Sequence, residues 1–341
     1  MSIQSFRSPC LHLRLVVALS AIGILSATIA AAAPVVPGTG IAIKKVGDDF
    51  EDPDWKYSPN LPKSSEEIDG RTRNPAGRAA NGRWYEGMKR GTPDHVKRVE
   101  TPAGGLEGSE GSLLIQSLRT GVPGVSSHKM QQDDFIADVY YRLGGAIPVS
   151  QTPSVVTRIF LPPVDQWEDR TGPSFAFRSA CLTHAWKEKE STGFFKTTGK
   201  EFAKETYWPG FFFEFQSKTD RGREQDTAYL RIRSNNRGGD FKGKQIEVTG
   251  WWTLGMSFTP DGQIHYYAKP GIEDLTAEDH ITSQYPYGFR CEHFKTFFYN
   301  VCNGDDNRTW STPWIVDDPT VYFIPTGNGP RYSNNKKTTT R

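Results

Sequence analysis

The sequence predicts an all-β protein, a two-sheet antiparallel jelly-roll sandwich with long loops. Its 33 Gly, 23 Pro and 12% aromatic content mark a turn-rich β chain rather than a helical one. Segments of period-two alternation recur between clusters of Gly, Pro, Asn and Asp, the punctuation of strands and hairpins. Helix signals are confined to one turn at Asp274–Asp279 and a short helix within Ser191–Thr206.

Residues 1–33 carry Arg7 and Arg14, the apolar run Leu15–Ala30 and a cluster of alanines. That is the pattern of a secretory signal peptide. The run is shorter than the roughly 20 residues of a helical membrane span. The expectation is a secreted protein, extracellular or periplasmic, with no transmembrane segment in the mature chain. Residues 34–47 form a Pro/Gly-rich lead-in, and a single sandwich domain covers 48–328, opening on "DDFEDPDWKY". Between Tyr57 and Arg98 no period persists, which predicts a long ordered excursion. Strands are then expected at Ser112–Leu118, Ala137–Leu143, Ser154–Leu161, Ser174–Trp186, Gly210–Lys218 and Ala228–Ser234. Four more follow at Gln245–Phe258, Gln263–Lys269, His293–Cys302 and Thr320–Ile324. Residues 329–341 form a polar tail.

Alternation assigns faces within each strand. Phe211, Phe213 and Phe215 point inward, leaving Glu214 and Gln216 outside. Leu230 and Ile232 point inward, leaving Tyr229, Arg231 and Arg233 outside. In "WWTLGMSFTPDGQIHYYAKPG" the predicted core is Trp252, Leu254, Met256, Phe258, Ile264 and Tyr266. Trp251, Gln263, His265 and Tyr267 take the other face. Arg158, Arg178 and His184 lie outward on their own strands, and His293, Lys295 and Tyr299 share one face. If the outward residues belong to one sheet, they make a cationic, aromatic surface. Such a surface suits an acidic polysaccharide, because Arg pairs bidentately with carboxylates. The chain has 41 Lys and Arg against 39 Asp and Glu. Losing Arg7 and Arg14 with the leader balances them, so nothing draws nucleic acid in bulk.

The quoted hairpin resembles the strand–turn–strand signature of the concanavalin A-like lectin/glucanase superfamily. "DDFED" and "WIVDDPTVYFI" resemble its paired first and last strands. The resemblance implies a jelly-roll fold and a carbohydrate-related role, in a superfamily of lectins, glycosidases, polysaccharide lyases and adhesion modules. A glycosidase needs two carboxylates flanking the scissile bond. The superfamily's glucanases place them in a Glu-x-Asp-x-x-Glu pattern, whereas "FFFEFQSKTD" offers Glu214 and then Gln216. A β-eliminating lyase needs a carboxylate neutraliser, a base and an acid. Arg178, His184 or His265, and Tyr267 can fill those roles. "QIH" at 263–265 and "HFKTFFYN" at 293–300 resemble alginate-lyase motifs, but they stand too close together for that assignment to be carried over.

The leading expectation is an exported protein that binds or processes an extracellular acidic polysaccharide. Arg158, Glu214, Gln216, Tyr229, Arg231, Arg233, Gln263 and Trp251 are the expected binding residues. The alternatives are a lyase and a non-catalytic surface or adhesion module. Beyond the leader the cysteines are Cys181, Cys291 and Cys302. Cys291 and Cys302 are expected to pair in an oxidising compartment, provided the chain folds back between them, with Cys181 a buried thiol. No Cys-x-x-Cys spacing points to zinc. The acids of "DDFED" and "NGDDN" are oxygen ligands of the kind calcium takes, so a structural calcium is the one cofactor in view.

Overall fold

Two antiparallel sheets pack face to face as a jelly-roll sandwich. The computed structural model describes residues 33–74, 76–189, 199–220, 222–233, 239–327, 329 and 332. The leader, residues 190–198 and most of the polar tail lie outside the described residues. The smaller sheet runs His280–Gln284, Ile264–Pro270, Gly250–Phe258, Ser154–Leu161, Trp314–Phe323, Gly111–Gln116, His95–Glu100. Ile41–Ala42 adds to Trp314–Phe323. The larger sheet runs Asp240–Ile246, Thr227–Arg233, Gly210–Gln216, Gly172–Glu188, His293–Asn303, Gln131–Ala137, Trp84–Glu86, Arg78–Ala79, Tyr57–Ser58. Lys200–Tyr207 pairs with the far end of Gly172–Glu188, and Ile147–Pro148 with the start of His293–Asn303.

The core lies between the sheets and is built from the alternating inward residues. Phe175 stacks on Trp314 at 4.8 Å and on Tyr299 at 5.7 Å. Phe211 meets Tyr266 of the other sheet at 5.6 Å, and Trp84 stacks on Phe135 at 4.5 Å. Each such side chain, fully buried, contributes about 1.5–3 kcal/mol. The predicted inward residues of the Gly250–Pro270 hairpin and of the Phe211 and Leu230 strands all lie in this core.

Several expectations change. The 57–98 excursion contains the short strands Tyr57–Ser58, Arg78–Ala79 and Trp84–Glu86 at one end of the larger sheet, and its last residues begin His95–Glu100, the six-residue edge strand of the smaller. Elements of two or three residues carry no legible period. The strand expected at Ala137–Leu143 instead spans Gln131–Ala137, and a helical turn at Tyr140–Leu143 follows it. Gln245–Phe258 divides into Asp240–Ile246 and Gly250–Phe258, which join different sheets. The turn between them ends at Gly250, whose φ of 93° favours glycine. Part of the helix expected at Ser191–Thr206 is the strand Lys200–Tyr207. The lead-in is packed: Ile43 is fully buried, Ser257 Oγ donates to Val35 O at 2.5 Å, and Gly38 N donates to Ser154 Oγ at 3.1 Å.

Candidate functional site

The expected site residues divide between the sheets. Arg178, His184, Glu214, Gln216, Tyr229, Arg231 and Arg233 belong to the larger sheet, whereas Arg158, Trp251, His265 and Tyr267 belong to the smaller, with Gln263 in the turn before Ile264. A single face carrying all of them does not exist.

The smaller-sheet group is structural. Its outward side is roofed by the lead-in and by the segment after Gly271, so Tyr267 packs with Val156, Leu275 and Val36. His265 is fully buried. Its Nε2 meets Thr259 Oγ1 at 2.7 Å and its Nδ1 meets Ser283 Oγ at 2.6 Å. Burial lowers its pKa to about 4, with His280 adding to the drop and Asp261 opposing it. That imidazole is a neutral, satisfied side chain, not a solvent-facing base. Arg158 is buried against Asp274 at 2.8 Å and Asp318 at 3.1 Å. Trp251 Nε1 donates to Pro102 O at 3.2 Å, and Gln263 Nε2 donates to Tyr285 OH at 3.3 Å.

The larger-sheet group lies on the outer face, but much of it is internally paired. Arg231 bonds Glu214, and Gln216 Nε2 donates to Glu214 Oε1 at 3.3 Å. Tyr229 OH donates to Gln245 Oε1 at 3.3 Å and lies under Lys242 Nζ at 3.2 Å. Arg233 pairs with Asp240 at 2.7 Å. His184 is half-exposed on the far end of Gly172–Glu188, with Nδ1 2.5 Å from Glu292 Oε1.

Arg178 is different. It is buried, with its guanidinium 5.3 Å from the ring centres of both Phe212 and Phe298. Nη1 donates to Asn300 Oδ1 at 3.3 Å and Nη2 to Trp208 O at 3.1 Å. Its Nε has no partner among the described residues. Desolvation, then Arg233, push its pKa down to about 10. Asn300 reaches the other way, its Nδ2 donating to Asp134 Oδ1. Burial raises the Asp134 carboxyl to about 6 against the pull of Arg90, Arg178 and Asn300.

These groups floor a cleft made of two adjoining cavities of about 200 and 340 Å³, which share Lys89, Asp134, Trp208 and Phe298. Arg90, Arg178 and Arg233 line the first, Tyr85, Lys295 and Thr296 the second. Lys89 Nζ sits 5.6 Å over the Trp208 ring. A register shift opposite Ala180 and Cys181 sets the orientation of His293–Asn303. Lys295, Thr296 and Phe298 face the cleft while Tyr299 enters the core. His293, Lys295 and Tyr299 therefore do not share a face. Asp134, Asn300 and Trp208 were not singled out from the sequence. The one available signal was the pair of acids running directly into the apolar residues of "QQDDFIA".

All three described cysteines are buried free thiols. Cys291 lies just before the extended His293–Asn303 strand and Cys302 near its far end, so the expected disulfide is absent. Cys291 neighbours Cys181 instead. The acids of the two candidate calcium strings bind protein groups. Asp48 Oδ2 accepts both Trp55 Nε1 and Trp84 Nε1 at 3.0 Å. Asp305 accepts Ser127 N at 2.9 Å, and Asp306 accepts Thr309 N at 2.7 Å. Among the described residues no cluster of three His, Cys, Asp or Glu forms a metal site, and no helix is long and apolar enough to cross a membrane.

No protein-family model and no curated protein matches the chain. Among solved structures, a PL7 alginate lyase from Zobellia galactanivorans is similar with TM-score 0.34 and 10% identity, over 65% of this chain and 82% of that one. An alginate lyase from Pseudomonas aeruginosa gives TM-score 0.33 and 6% identity over 67% and 83%. The exoplasmic/lumenal domain of VIP36, with calcium and Man2 bound, gives TM-score 0.33 and 10% identity over 70% and 92%. The strand order and register described above, not these likenesses, define the sandwich.

Proposed function

We propose that this chain is an exported sandwich of the concanavalin A-like kind that binds an extracellular acidic polysaccharide in the cleft of the larger sheet. The observation that carries this reading is Arg178, buried between two phenyl rings with an unpartnered Nε. Lys89, Arg90, Arg233 and Lys295 surround it, beside Trp208. A fixed guanidinium recognises a carboxylate or sulfate bidentately, and the indole offers a flat apolar face. Calorimetric titration with acidic and neutral oligosaccharides tests it. Binding of the acidic set alone, weakened by Lys89→Ala and Lys295→Ala, is expected. Equal binding of neutral sugars would refute it.

Asp134 favours a second reading, β-elimination at the same place. Arg178 would neutralise the substrate carboxylate and Asp134 would take the adjacent carbon-bound proton. The C–O bond to the leaving sugar would break as the double bond forms. Tyr85, whose phenol burial pushes up to about 12, would supply the proton to the leaving oxygen. New ultraviolet absorbance from an unsaturated uronate supports this chemistry. Binding without absorbance assigns the chain to the non-catalytic modules.

A further inference from the structure

The Gly172–Glu188 strand continues past the body of the larger sheet, and its far half pairs with Lys200–Tyr207. Alternation from Arg178 keeps Ala180, Leu182, His184 and Trp186 on the outer face, opposite Thr206, Lys204 and Phe202. Ala180 and Thr206 line the second cavity of the cleft, so this ribbon extends its floor. At the far end Trp186 and Phe202 face one another in register, with ring centres 5.4 Å apart. They remain 60% and 49% exposed. His184 stacks on Phe202 at 5.6 Å, and Phe289 meets it edge-on at 5.1 Å. Trp186 and Phe289 also line a cavity of about 410 Å³ with Lys187 and Glu205. Glu205 is the one residue that this cavity shares with the cleft; the link between the aromatic pair and the cleft is the outer face of the ribbon itself.

An aromatic pair left this open to water adds little to folding, and it lies on the same face as the cleft. We infer that Trp186 and Phe202 form an outlying subsite on which a sugar ring of the same polysaccharide stacks, so that the chain recognises polymers rather than short oligosaccharides. The inference rests on the acidic-glycan reading of the cleft. Eight residues separate Arg178 from Trp186, about 26 Å at about 3.3 Å per strand residue, room for several linked sugars. Aromatic faces suit the apolar side of a pyranose, and Lys204, on the same outer face opposite His184, stands ready for its acidic groups.

The test uses the full chain with alginate, polygalacturonate and the corresponding disaccharides. Trp186→Ala and Phe202→Ala should each raise the polymer Kd about tenfold, the loss of one good aromatic contact. The disaccharide Kd should not change, Tm should stay within about 1 °C as for other surface changes, and Trp186→Tyr should recover most polymer affinity. No loss with the polymer, or equal loss with polymer and disaccharide, overturns the subsite. So does a change confined to particle mass in light scattering, which would make the patch a contact between copies. If Lys295→Ala still weakens both ligands in those cases, the cleft reading stands. Wild-type protein that binds neither polymer removes both.

Discussion

Asn300 joins the two charged groups of the cleft, accepting from Arg178 through its side-chain oxygen and donating to Asp134 through its nitrogen. Asp134 is therefore held in place while burial keeps its carboxyl near pKa 6. Protonating it removes a negative charge from a site facing Arg90, Arg178 and Glu67. Anion binding by the wild type should thus tighten as pH falls through 6, and Asp134→Asn should abolish that step. Under the elimination reading the same substitution should cut turnover by about 10²–10⁴, the worth of a positioned base. His265 titrates with the opposite consequence for the fold. Its folded pKa of about 4 lies below the value of about 6.5 expected in the unfolded chain. Its contribution is complete above pH 6.5 and is lost as pH falls toward 4, by at most about 3 kcal/mol. Asp133 and Asp317, raised to about 7 by burial, work in reverse and lose their contribution as pH rises through 7. Thermal melts of wild type and His265→Gln across pH 4–7 separate these terms. The wild-type advantage should shrink toward acid, and parallel curves would exclude the assignment.

The strand pattern was legible where elements were long. Ser154–Leu161 has the bounds expected from sequence, and the inward set of the Trp251 hairpin is as predicted. What alternation cannot report is what covers a face. His265 points away from the core, yet Val35 and Val36, far away in sequence, help roof that side of the sheet. Nor does a period survive a bulge, and the shift opposite Ala180 and Cys181 separates Tyr299 from the face expected to be shared with His293 and Lys295. The "DDFED" segment shows a further limit, because its role depends on partners from distant elements. Asp48 N bonds Pro319 O of the smaller sheet at 3.2 Å. Its carboxylate holds Trp84 of the larger sheet, together with Trp55 and the Asn81 amide at 2.8 Å. Asp48→Ala would leave two indole N–H groups without their acceptor. Destabilisation of about 2–4 kcal/mol is expected from that desolvation cost, measured by urea unfolding. Asp48→Asn keeps an acceptor oxygen and should lose clearly less.

At the scale of the whole molecule the near-balance of charge conceals a segregation that composition could not show. On the smaller sheet, Arg158 is neutralised by Asp274 and Asp318, and Lys269 lies 3.6 Å from Asp279. In the cleft of the larger sheet, Lys89, Arg90, Arg178, Arg233 and Lys295 meet Glu67, Asp134 and Glu205. Arg90 is bonded to Glu67 and Arg233 to Asp240, each at 2.7 Å, so the positive excess rests on Lys89, Arg178 and Lys295. An excess of positive charge in a depression with apolar walls concentrates anions more than net charge implies. The Debye length shortens from about 10 Å at 0.1 M salt toward about 3 Å at 1 M, so the attraction of exposed Lys89 for a polyanion fades first. Arg178, walled by Phe212 and Phe298, is screened less. Acidic-glycan affinity should therefore fall steeply on the first addition of salt and then level off at a residual set by Arg178. Lys89→Ala with Lys295→Ala should flatten the steep part while leaving that residual in place. Affinity independent of salt, or a decline that never levels, would show that the charges of this cleft do not hold the ligand in that way.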